Sequence, residues 1–89
     1  MRIKEGFILR RIGDENAIMG EGLAAVNFGR LLALNDSAAW LWKEAQAQGD
    51  FTIDSLVAKL CEEYDVSPDE ARRDITEVLT QLKSEGVIE

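Results

Sequence analysis

The stretch Leu31-Leu-Ala-Leu-Asn-Asp-Ser-Ala-Ala-Trp-Leu-Trp42 decides the fold, because an extended apolar run there meets an Asn-Asp pair and becomes a helical pattern. Before Asn35 the apolar residues cluster in short runs bounded by glycines; after it they recur at helical spacing almost to the C-terminus. A strand on one side and a helix on the other must share one core.

Outward toward the C-terminus, the pattern predicts three helices, over about 36–48, 53–64 and 68–85. Asn35 or Asp36 can accept a hydrogen bond from the free N–H groups of the first, whose stripe is Ala38, Leu41, Trp42 and Ala45, with Gly49 as a stop. Thr52 is the expected N-cap of the second. Its apolar residues Ile53, Leu56, Val57, Leu60, Cys61 and Tyr64 fall on one face, and Phe51 is placed to pack on Leu56. Ser67-Pro-Asp-Glu70 carries the strongest start signal: serine can bond the Glu70 N–H, Glu70 can reach back, and proline at the first helical position loses no bond. Ala71, Ile75, Val78, Leu79 and Leu82 form the third stripe, and Gly86 suits a left-handed cap that returns Val87-Ile88 to the core.

Outward toward the N-terminus, Phe7-Ile-Leu-Arg-Arg-Ile12 and Asn16-Ala-Ile-Met19 flank Gly13-Asp-Glu15 and predict a β-hairpin. Gly20-Glu-Gly22 interrupts the second strand, which is expected to continue through Ala24 to Phe28. Gly29-Arg30 then supplies a type II′ turn into a last strand, Leu31 to Leu34. Together these elements predict one α+β domain over 1–89, winged-helix-like, with a three-stranded antiparallel sheet (about 7–12, 16–28 interrupted, and 31–34) followed by three helices.

Composition narrows the function classes. In 89 residues the core must use nearly all the apolar side chains, so a separate catalytic domain has no room. No signal-peptide core and no membrane-length apolar run occur, so the expected location is the cytoplasm. With one cysteine and no histidine, an internal disulfide, a multi-thiolate zinc site and histidine-based catalysis are all excluded; no cofactor or metal is expected. Cys61 lies on an apolar stripe and reads as a structural thiol. From Asn35 onward five basic residues face thirteen acidic ones, a balance of −8, whereas residues 1–34 carry +1. That charge argues against nucleic acid as a partner, and against a winged-helix regulator reading DNA with its third helix. Trp40 and Trp42 lie about 200° apart around the first helix, so one is core and the other a surface group; Trp42 shares the core stripe. Arg72 and Arg73 read as i,i+4 partners of the neighbouring carboxylates Asp69 and Glu77, or as partner contacts. Leu31 to Leu34 alternates poorly, which fits an apolar edge open to another strand.

Leu34-Asn35-Asp36-Ser37-Ala38-Ala39 followed by Leu41-Trp42 resembles the L-N-x-[ST]-[AG]-A-x-[IL]-W segment of PqqD-like proteins. Thr52 to Val57, Leu60, Tyr64-Asp65-Val66, Asp74-Ile75, Leu79, Leu82, Gly86 and Val87-Ile88 agree in order and spacing. The resemblance covers essentially the whole chain. It implies a non-catalytic recognition element for ribosomally made, modified peptides: the leader of a precursor peptide adds as a strand beside the last β-strand, against the third helix. The domain would deliver that leader to a modifying enzyme, often of the radical-SAM type. Carried onto this chain, the strand is Leu31, Leu32, Ala33 and Leu34, and the opposite wall is Arg72, Ile75, Thr76 and Leu79, chosen by helix face. Members of the cofactor pathway itself have a Pro-Glu-Gly segment leading quickly into the Leu-Asn. Here Met19-Gly-Glu-Gly22 and an extra stretch through Phe28 stand instead, implying service to a pathway other than pyrroloquinoline quinone synthesis. The competing expectation is an assembly module whose apolar edge pairs with a second copy, giving a homodimer.

Overall fold

The computed structural model describes residues 1–89. Gly13, at φ 62°, takes the first corner of a two-residue turn that only a residue tolerant of positive φ fills cheaply. The turn joins strand β1 (Phe7–Ile12) to strand β2 (Glu15–Gly20), with Ile12 opposite Glu15 and Phe7 opposite Gly20. Strand β3 (Leu32–Leu34) pairs antiparallel on the other side of β2, giving the order β1-β2-β3. β3 is therefore an edge, and Leu31 lies just outside it, exposed.

Between β2 and β3 the structure departs from the expected strand. Leu23–Phe28 forms a six-residue helix, α1, ended by Gly29 in the left-handed conformation, whose N–H donates to the Ala25 carbonyl. Gly29 thus has the positive φ expected of it but closes a helix instead of a hairpin. Ala24 and Phe28, four residues apart, turn toward the hairpin, where the Phe28 ring meets Phe7 edge-on at 5.2 Å. Leu23 and Val26 face solvent. α1 packs on the strand end because Gly20 has no side chain: a Cβ there would sit 2.5 Å from the Ala24 carbonyl group.

Three longer helices follow: α2 (Asp36–Gln48), α3 (Ile53–Glu63) and α4 (Pro68–Ser84). Their starts are capped by side chains: Asn35 accepts from Ala38 N–H, Thr52 exchanges bonds with Ser55, and Ser67 accepts from Glu70 N–H. Glu70 makes no return bond to Ser67; its side chain lies in a surface groove instead. α4 ends in a Schellman arrangement, with Gly86 at φ 80° and Val87 N–H bonded to the Leu82 carbonyl. That turn sends Val87 and Ile88 into the core, and Ile88 bridges to Ile3. Trp42, Phe51, Leu56 and Ile18 are the large side chains at the centre, joined by Leu34, Ile75 and Leu79. No helix is long and apolar enough to cross a membrane.

Candidate functional site

The backbone of β3 sets the site. A two-residue turn makes its flanking pair, Ile12 and Glu15, exchange hydrogen bonds, and such pairs alternate along an antiparallel ladder. Arg10 and Ala17 form another bonded pair, so the backbone groups of Asn16 and Ile18 turn the other way, toward β3. Leu34 and Leu32 meet them. The N–H and C=O of Ala33, midway between, therefore point outward from the sheet edge, and neither has a backbone partner elsewhere.

Opposite that edge stands α4. The groove between them, about 440 Å³, is lined by Ala33, Leu34, Asn35, Ser37 and Ala38 on one side and by Asp74, Glu77, Val78 and Gln81 on the other. Past Ser37 it runs into an apolar cleft of about 380 Å³ between α2, α3 and α4. Trp40, Leu60, Tyr64, Val66 and Val78 wall this cleft, with Ile75 at its floor and Asp36, Glu70 and Asp74 at its rim. Local bonds hold the wall: the Trp40 indole N–H donates to Glu63 at 2.8 Å, and the Trp40 ring meets Tyr64 edge-on at 5.9 Å. Trp42, the other tryptophan, is 1% exposed. Asn16, the one buried polar side chain, donates to Asp36 at 3.0 Å and fixes the start of α2 to β2. At the far end Arg30 lies over the Phe28 ring, 4.4 Å from its centroid, and pairs with Glu85, tying the approach to β3 to the end of α4.

Among the residues expected at the site, Leu32, Ala33 and Leu34 lie on the edge strand, and Leu31 precedes it. The expected helix residues do not come together beside it. Ile75 and Leu79 are core side chains, 2% and 3% exposed, and of the two only Ile75 reaches the site, at the floor of the cleft. Arg72 pairs with Asp54 of α3 instead of with Asp69 or Glu77. Arg72 and Thr76 each lie two residues from Asp74, about 200° around the helix, and neither lines the groove. The wall is instead the polar flank of the apolar stripe: Asp74, Glu77, Val78 and Gln81. Of these only Val78, half-buried at the stripe's margin, carried a sequence signal. No group of three metal-ligating side chains is assembled anywhere in the chain.

The family model for coenzyme PQQ synthesis protein D (PqqD) matches residues 7–88. The chain belongs to the PqqD family. Two solved structures share its fold. The first, TbiB1 in complex with the TbiA(beta) leader peptide, superposes with a TM-score of 0.76 at 19% identity over 100% of this chain and 95% of that one. The second, a lasso peptide synthetase B1 complexed with the leader peptide, gives 0.72 at 22% identity over 96% and 92%. No curated protein matches the sequence. The sheet and long helices of this PqqD-family chain are thus a shared scaffold, with β3 and α4 placed side by side at its edge.

Proposed function

We propose that this chain binds the leader segment of a ribosomally made precursor peptide by strand addition at β3, and presents it, without itself catalysing a reaction, to a modifying enzyme such as a radical-SAM maturase. The observation that carries this reading is the outward-facing backbone of Ala33 beside a groove that opens into an apolar cleft. An added strand finds a donor and an acceptor ready at the edge, and an apolar side chain further along finds an apolar cleft. Membership of the PqqD family supports it, as do two neighbours of the same fold solved with leader peptides. Synthesis and modification of such precursors place the work in the cytoplasm. The helix α1 (Leu23–Phe28) occupies the stretch where cofactor-pathway members are short, which favours a different product pathway. The same open edge also suits pairing with a second copy, so the test separates the two.

Amide hydrogen exchange read by NMR is that test. Probes come from a displayed library of random peptides about twelve residues long, which span about 40 Å when extended, matching the 39 Å length of the molecule. In the free protein Ala33 N–H should exchange faster than those of Leu32 and Leu34, and a bound peptide should protect it. If Ala33 is already protected in dilute protein and loses protection only as a dimer dissociates, the edge belongs to self-assembly. If tight-binding peptides leave Ala33 unchanged, strand addition at β3 is wrong.

A further inference from the structure

We infer that the segment accepted by this groove is cationic, with lysine or arginine at alternating positions over the part lying along α4. This rests on the strand-addition reading and goes beyond it to the chemistry of the occupant. Four carboxylates border the groove and its cleft, Asp36, Glu70, Asp74 and Glu77, and no lysine or arginine does. None of the four is in an ion pair, and only Asp36 has a side-chain hydrogen-bond donor, the Asn16 amide.

Cations nearby are committed elsewhere or lie outside the lining. Arg30 is paired with Glu85 at the groove's end, Lys59 with Glu62 and Glu63, and Arg72 with Asp54. Lys43, Arg73 and Lys83 do not line either part. Neither does the expected i,i+4 neutralisation of Glu77 by Arg73 form.

A peptide seated here displaces the water that now solvates these carboxylates, so an acidic or neutral occupant leaves them poorly compensated while a basic one replaces the lost solvation. Spacing sharpens the requirement. Glu70 and Asp74 are one helical turn apart, about 6 Å along the axis, and side chains two residues apart on a strand are about 7 Å apart. A basic-x-basic pair on one face of the added strand matches them, next to the apolar residue that enters the cleft at Trp40 and Tyr64.

Selection from the same random library decides the matter, using the full chain as bait. We expect enriched peptides to carry an excess of lysine and arginine and to bind about tenfold more weakly to the double variant Glu70→Lys/Asp74→Lys, as two reversed partly exposed charge pairs imply. A control of equal net charge, Glu5→Lys/Asp50→Lys, changes residues outside the groove and should leave affinity within about twofold. Equal weakening by both double variants means diffuse attraction to an acidic protein and overturns the inference. Enriched peptides that are neutral or acidic, yet lose affinity on Ala33→Pro, overturn the cationic requirement while leaving strand addition standing. Binders indifferent to Ala33→Pro overturn both.

Discussion

Proline at position 33 deletes an N–H that points away from the sheet and puts a ring carbon where the acceptor of an incoming strand would sit. The fold loses nothing from the β2–β3 ladder, since the bonded pairs there are Asn16 with Leu34 and Ile18 with Leu32. Leu32 is already extended, as a residue before proline must be. Stability should therefore change by about 1 kcal/mol or less, a shift in melting temperature within about 8 °C for a chain of this size. Binding loses more. One net hydrogen bond is worth about 0.5–1.5 kcal/mol, and the clash of the ring moves the loss to the upper end, about tenfold in Kd. The assay is fluorescence anisotropy of a labelled library-selected peptide against wild type, Ala33→Pro and Ala33→Ser. Ala33→Ser keeps the N–H and should bind within about twofold of wild type. A folded Ala33→Pro protein with undiminished affinity, or a serine variant as impaired as the proline one, would refute strand addition at this edge.

Two further outcomes follow from the same geometry. Because Trp40 walls the cleft while Trp42 is sealed in the core, peptide binding should shift tryptophan emission to shorter wavelength, and Trp40→Phe should abolish the shift; a shift that survives this replacement would place the occupant elsewhere. Gly20→Ala forces a Cβ against the Ala24 backbone and should cost about 1–3 kcal/mol. Gly22→Ala, with open space but φ 61° and ψ −129°, a conformation that a Cβ disfavours strongly, should cost about 1–3 kcal/mol through backbone strain alone. Differential scanning calorimetry compares them, and a Gly20→Ala protein melting like wild type would mean that α1 does not pack on the hairpin as described.

What was legible in the sequence was whatever is decided within a few residues. Asn35, Thr52, Ser67 and Gly86 mark helix ends through bonds to groups three to five positions away, and each does so in the structure. α1 was not legible, because Val26, Phe28 and a positive-φ Gly29 serve a strand and hairpin turn as well as a short helix. What settles the choice is distant: the bare backbone of Gly20 and the ring of Phe7 give Ala24 and Phe28 a surface to cover. The edge strand could be located from its apolar run and the Asn35 cap. Its opposite wall could not. An apolar stripe shows which face a helix buries, so choosing Ile75 and Leu79 by face selected core side chains, of which only Ile75 also floors the cleft. A groove wall lies at the margin of such a stripe, and where that margin meets another element depends on how α4 packs, which no local spacing encodes. Arg72 illustrates the same limit, since its partner Asp54 comes from a different helix.

The brevity of β3 has a consequence for how selective the protein must be. Three residues give a single outward-facing backbone unit, hence two hydrogen bonds to any incoming chain. At about 1 kcal/mol each these contribute about 2 kcal/mol, against about 8 kcal/mol for micromolar affinity. Main-chain pairing alone would hold almost nothing, so under the strand-addition proposal a chain with the wrong side chains should dissociate quickly. For an occupant held at micromolar strength by strand addition, side chains would have to supply the rest, and this edge would then read sequence more than it would hold strands.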